Sequence, residues 1–447
     1  MTSSQHKTPA TPFKKPPLSS PAILSLGFLA MIVLGTCLLK LPLASHTPIS
    51  WLTAGFTATS AVTVTGLSVV DTANFTRFGH WVIMGLIQFG GLGFMTFAIL
   101  VLKSVQGKMG MRSTDLAKDA LGQHNASQLV NTAKSVIAIA LISELMGAML
   151  LFLALSGKGV DGAFEALFLS VSAFNNAGFA LTGDNLMAYV HTPWIALVVS
   201  SLIITGGIGF LVIMDVAKHR CWARFSTHSK VMLSATAITN ILAFGLYYVL
   251  EYDNMGTLGG LSTGEQMMQA WFMAVTTRTA GFNGIDIGAL TDASTLLTFF
   301  LMFIGAGSMS TGGGIKIGTF VIVLATTWAY LRQREQVILF GRAIGEPLIK
   351  KSFAVMSIYL VLVLTGAFAL VCVERDGKLV DSLFEVISAS ATVGLSRNYT
   401  ATLSPMGQII IMIMMFVGRL GPLTLAYFIA TPKPTRVRYP TTQTLVG

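Results

Sequence analysis

Four glycines carry the chemistry this chain could perform. Gly66 closes the run Ser60-Ala-Val-Thr-Val-Thr-Gly66-Leu67. Variants return as Ser172-Ala-Phe-Asn-Asn-Ala-Gly178-Phe179, Val275-Thr-Thr-Arg-Thr-Ala-Gly281-Phe282 and Ser388-Ala-Ser-Ala-Thr-Val-Gly394-Leu395. An aromatic residue stands ten positions before each glycine: Phe56, Phe168, Trp271 and Phe384. The glycines are 112, 103 and 113 residues apart, and repetition of this kind is read first because it decides the architecture. Such segments can coordinate a cation through backbone carbonyls. A dehydrated monovalent cation needs several oxygen ligands at once, and a carbonyl ring supplies them without burying a carboxylate. Glycine turns those carbonyls toward an axis through backbone angles that residues with a Cβ adopt poorly. The short side chains just before it, Thr65, Ala177, Ala280 and Val393, let four segments approach closely. One copy alone reads as a tight turn between helices; four correlated copies read as parts of one site.

A second repeated feature follows each glycine, as Gly90-Gly-Leu-Gly93, Gly206-Gly-Ile-Gly209, Gly305-Ala-Gly307 and Gly418-Arg-Leu-Gly421. From the central glycine to the second residue of each cluster the offsets are 25, 29, 25 and 25.

The elements that must position these segments follow from composition. With 53% hydrophobic and 11% charged residues and a mean hydropathy of +0.71, the chain is not a soluble globule, whose charged share is nearer a quarter. It reads as a polytopic, all-α integral membrane protein. Apolar runs near 22–39, 80–102, 132–155, 193–214, 231–250, 296–331, 353–373 and 408–429 give eight spans at 1.5 Å per helical residue. Between the two spans of each unit lies a moderately apolar stretch of roughly ten residues, such as 163–174 or 383–390, long enough to reach only about half the membrane. Each unit therefore reads as helix, half-helix, extended pore loop, helix. The units are four pseudo-repeats around one central ion path, with the repeats at 22–102, 132–214, 231–331 and 353–430. Polar connections lie at 103–131, 215–230 and 332–352, and tails at 1–21 and 431–447. Non-helical backbone at membrane depth survives only inside protein or beside water, and each half-helix turns its negative C-terminal end toward the shared cavity.

Charge placement sets the orientation. With a cytoplasmic amino terminus, the tails and the loops near 103–134, 215–230 and 332–351 carry 20 Lys/Arg against 5 Asp/Glu, while the opposite side carries 6 against 13. Basic residues prefer the cytoplasmic side, so the net charge of +10 reflects topology rather than nucleic-acid binding. Cys37, Cys221 and Cys372 show neither metal-ligand spacing nor a disulfide framework. Glu144, Arg278, Lys316 and Arg419 fall within the membrane zone, where Arg or Lys costs about 2.5–3.5 kcal/mol on insertion scales and needs a partner or a cavity. The expectation is that Arg278 braces its pore loop against an acid, and that Glu144 partners one of these bases.

These motifs resemble the Trk/Ktr/HKT superfamily of potassium transporters, most closely the bacterial Ktr-type membrane subunit, over about residues 22–430. The resemblance implies that Val64, Thr65 and Gly66, with Asn176, Ala177 and Gly178, Thr279, Ala280 and Gly281, and Thr392, Val393 and Gly394, form a K+ selectivity filter. It implies a gate in the intramembrane loop 305–318, with Gly312, Gly313, Gly314 and Lys316, and with Arg419 as a nearby electrostatic barrier. It further implies a homodimer, a cytoplasmic nucleotide-binding regulatory ring of RCK type, and sodium dependence. The chain departs from the family pattern where Met309 and Thr277 stand in place of proline.

An intramembrane enzyme is disfavoured, since no H-E-x-x-H or G-x-S-x-G motif occurs, and no organic cofactor is expected. The rival reading is a sodium- or proton-driven secondary transporter, in which broken helices also occur. Four repeats in one orientation, without paired acids at the midplane, separate the two.

Overall fold

The computed structural model describes residues 20–93 and 126–421. The predicted tails and most of the 103–131 connection lie outside the described residues. Helices α1 (Ser20–Leu39), α2 (Trp51–Thr63) and α3 (Arg77–Gly91) are followed by α4 (Ala126–Leu155), α5 (Gly159–Phe174), α6 (Pro193–Ile208) and α7 (Phe210–His219). Then come α8 (Thr227–Glu251), α9 (Thr263–Thr276), α10 (Asp292–Phe303), α11 (Ile317–Leu331), α12 (Glu346–Val373), α13 (Leu379–Ala391) and α14 (Pro405–Leu420). Hydroxyl caps set several starts: Ser50 accepts from Thr53 N, Thr76 from Gly79 N, Ser226 from Ser229 N, Thr291 from Ser294 N and Ser404 from Gly407 N. Each satisfies a backbone donor that the first helical turn leaves unpaired. Proline in the first turn of α6, α12 and α14 adds to this.

The helices pack in groups of three: α1–α2–α3, α4–α5–α6, α8–α9–α10 and α12–α13–α14. Each short middle helix also packs against the last helix of the group before it, α5 on α3, α9 on α6 and α13 on α10. The series closes with α2 on α14. Phe56, Phe168 and Phe384 are buried in the resulting cores, whereas Trp271 is half-buried and Phe272 takes the core position.

One expectation is corrected. The middle helices run 13, 16, 14 and 13 residues rather than ten, because three of them begin in turns with acids, Asp161, Glu265 and Asp381, that hydropathy leaves out. Among the described residues, Thr132–Phe174, Thr227–Glu251 and Glu346–Val373 are helical stretches long and apolar enough to cross a membrane, joined by Pro193–His219 if its 95° bend is bridged. The last helix of every group stops at its glycine cluster, at Gly91, Ile208, Phe303 and Leu420. Glycines of these clusters sit against the repeated segments. A methyl on Gly90, Gly206 or Gly418 would strike the carbonyl of Val62, Phe174 or Ser390, in each case the residue four before a central glycine. Besides the helices, Ile338–Leu339 and Arg342–Ala343 pair as a short antiparallel hairpin. Its turn, Phe340-Gly341, has φ of 47° and 75°, as a tight primed turn requires.

Candidate functional site

The four repeated segments meet. Gly66, Gly178, Gly281 and Gly394 have φ of 95°, 73°, 74° and 95°, the region that favours glycine. Each packs against the next. A methyl on Gly66 would lie 2.6 Å from the Ala177 carbonyl oxygen, and one on Gly178 would lie 2.8 Å from that of Ala280. One on Gly281 would meet the Val393 oxygen, and one on Gly394 the Thr65 oxygen, closer still. The neighbours thus run 66, 178, 281, 394 and back to 66. Two positions earlier, Val64, Asn176, Thr279 and Thr392 also have positive φ, from 51° to 75°. All twelve predicted filter residues therefore belong to one ring of backbone.

The ring is held by residues whose role sequence reasoning missed. Ser60 and Ser388 accept from Gly66 N and Gly394 N through their hydroxyls, each at 3.0 Å, and Ser172 accepts from Phe179 N at 3.0 Å. Their carbonyls accept from Thr65, Ala177 and Val393 N at 2.8–2.9 Å. In the third segment Thr276 substitutes, donating to the Phe282 carbonyl at 2.6 Å. The available signal was the serine opening three of the four motifs, each six residues before its glycine. Asn176 links neighbouring segments: its amide nitrogen donates to the carbonyls of Ala173 (3.1 Å) and Ile203 (3.2 Å), and its oxygen accepts from Thr279 Oγ1 (3.3 Å).

The loop between α10 and α11 lies directly against this ring. A methyl on Gly312 or Gly313 would strike Thr279 Oγ1 or Thr392 Oγ1, respectively, and Gly314 adjoins Ala391. The loop is tied by backbone hydrogen bonds. Gly307 N and Thr311 N donate to the Gly207 and Gly206 carbonyls at 2.8 and 3.3 Å, Phe210 N donates to Met309 O at 2.9 Å, and Gly305 N donates to Ile315 O at 2.8 Å. Met309 has φ of 59°, which proline cannot adopt, so this loop conformation depends on the departure seen in the sequence. Thr277 N donates to Met273 O at 3.2 Å, a bond that proline would remove. Lys316 Nζ donates to the Gly312 carbonyl at 2.5 Å. Arg419 donates to the carbonyls of Thr311, Gly90 (2.5 Å) and Gly91 (3.2 Å), joining the last helix to the loop and to α3. The residues predicted to form the gate and the ring are thus contiguous.

Two expected partnerships are overturned. Among the described residues Arg278 pairs with no acid: its Nη1 donates to Asn240 Oδ1 at 3.0 Å. Among them Glu144 likewise pairs with no base: it accepts from the Gln88 and Asn175 amides at 3.1 and 3.0 Å. In both cases a neutral amide on a neighbouring helix takes the place of a counter-charge. On the side predicted to face outward, several acids have structural partners. Asp381 pairs with Arg397 at 2.9 Å, and Glu374 accepts from Ser404 N at 2.8 Å. Glu265 completes a capping box with Ser262. Among the described residues no group of acids, histidines or cysteines could hold a metal ion.

With this geometry in view, similarity to known proteins can be stated. Residues 21–439 match the family described as TrkH, cation transport protein. The chain is 44% identical over 430 residues to Ktr system potassium uptake protein B of Bacillus subtilis (strain 168), covering 96% of each chain. It is 34% identical to potassium/sodium uptake protein NtpJ of Enterococcus hirae, covering 96% of this chain and 98% of that one. Its fold is similar to the crystal structure of the potassium transporter TrkH from Vibrio parahaemolyticus, with a TM-score of 0.72 at 20% identity, over 91% of this chain and 85% of that one.

Proposed function

Because this chain belongs to the TrkH cation transport protein family, we propose that it takes up potassium across the cell membrane through a filter of four backbone segments. In this reading the four helix groups are pseudo-repeats about one ion path, with the amino terminus cytoplasmic. Potassium is the cargo because relatives covering nearly the whole chain are potassium uptake proteins. The observation that carries the reading is the closed order of contacts from Gly66 through Gly178 and Gly281 to Gly394 and back. Four carbonyl-bearing strands around one axis can replace a water shell on all sides, which one turn cannot. The negative ends of α2, α5, α9 and α13 face the same region and favour a cation there.

Loop 305–318 acts as the gate in this reading. It abuts Thr279 and Thr392, and Arg419 both holds it and puts a positive charge near the path, so cations pass only when the loop and the guanidinium move away together. Sodium dependence, a homodimer and a nucleotide-binding RCK-type ring on the cytoplasmic side belong to the same proposal, supported by the Ktr resemblance and, for sodium, by the relative named for potassium and sodium uptake. Rubidium-86 uptake into proteoliposomes, with and without sodium, tests the whole. Saturable uptake competed by potassium is expected, faster with sodium. Sealed, correctly inserted protein that moves no rubidium would refute it.

A further inference from the structure

A small cavity with polar lining lies behind the third repeated segment. Arg278 is only 7% exposed, yet its guanidinium has one hydrogen bond, to a neutral amide. Its Nε has no partner, and among the described residues no carboxylate forms an ion pair with it. One helical turn before Asn240 on α8, Thr236 is 7% exposed and its hydroxyl also lacks a partner. Both unpartnered groups line the same cavity of about 20 Å³, together with Gly207, Asn240, Val275 and Ala306. That is room for one water or one small ion.

We infer that this cavity binds a single halide-sized anion, chloride under physiological conditions. Two unpartnered groups able to donate belong to residues that line it, the Arg278 Nε–H and the Thr236 O–H, and a donor-only guanidinium cannot satisfy an electropositive guest. The C-terminal end of α9 supplies a partial negative charge of about half a unit, which leaves the buried cation incompletely compensated. A water would complete the hydrogen bonds and leave the charge; an anion completes both, and burying a charge is tolerable only when it is paired. The position gives the site a role. Arg278 is three residues from filter residue Gly281, and Ala306 belongs to the gate loop. A bound anion cancels the repulsion that Arg278 would exert on a cation in the ring, and it fills the space between ring and loop.

The test is thermal unfolding and potassium titration of the purified full-length protein in potassium chloride, bromide and gluconate at constant ionic strength. A saturable rise in Tm with chloride or bromide over gluconate is expected, together with tighter apparent potassium binding. Both should vanish in Arg278→Gln. Should that variant fail to fold, Thr236→Val keeps the cation and loses one donor, and should weaken the halide effect about fivefold. Crystals soaked in bromide should give an anomalous peak between Arg278 and Thr236. Wild-type behaviour that is identical in halide and gluconate would overturn the inference and leave a water in the cavity. A halide effect untouched by Thr236→Val would overturn it equally.

Discussion

Gly66→Ser probes the ring where its geometry is best defined. With φ at 95°, a residue bearing a Cβ pays about 1–2 kcal/mol for left-handed backbone alone. The new Cβ would also stand 2.6 Å from the Ala177 oxygen, about 0.8 Å inside the 3.4 Å at which ordinary contact begins. That carbonyl is one of the proposed ligands, so relief of the overlap pulls a quarter of the coordination out of register. A differential loss of about 1.4–2.8 kcal/mol corresponds to a tenfold to hundredfold fall in potassium-over-sodium preference. Rubidium uptake with sodium as competitor, normalised to protein in the membrane, measures it. Gly85→Ser is the control, since nothing lies within 4 Å of its Cβ position, and it should behave as wild type. A Gly66→Ser protein present at wild-type level with unchanged preference would refute the reasoning.

Arg419→Gln removes charge-assisted bonds to Thr311, Gly90 and Gly91, each worth about 1.5–3 kcal/mol. Basal rubidium flux should rise about tenfold, and deletion of Gly312–Gly314 should raise it likewise; unchanged flux in both would remove the loop from the gate. Ser388→Ala leaves Gly394 N–H without its acceptor, at a cost of about 1–3 kcal/mol. The apparent affinity for potassium should therefore fall at least several-fold, read as a higher KM for rubidium uptake. Glu265, outside the membrane-spanning stretches, has its carboxyl drawn down to about 2 by hydrogen bonds from Ser262 and His191. A depressed pKa contributes stability above the ordinary carboxylate range and loses it as pH falls toward 2. Glu265→Ala should accordingly lower Tm at pH 7, and the difference should shrink between pH 4.5 and pH 3.

The ring was legible because it is written four times. Internal comparison picked out Gly66, Gly178, Gly281 and Gly394 and their immediate neighbours without reference to anything else. Ser60, Ser172 and Ser388 stood in the same motif, but a serine in an apolar run looks the same whether it caps a backbone amide or merely fills space. The helix ends at Gly91, Ile208 and Leu420 were hidden for a related reason. Hydropathy averages over a window and carries no record of which glycine touches a carbonyl of another helix. The partners of Arg278 and Glu144 were misjudged because opposite charge is the visible complement, whereas Asn240, Gln88 and Asn175 satisfy them from positions that only tertiary packing brings near.

The contact of α14 with α2 has a consequence for how the molecule is made. Arg419 grips Gly90 across 329 residues of chain, so the first quarter of the ring waits, with one flank unsupported, until α14 leaves the ribosome. Loop closure over such a distance is slow, and a nascent chain that stalls after α13 would be inserted, anchored and leaky. Cells making this protein therefore have reason to finish it quickly or to shield that open seam while translation continues.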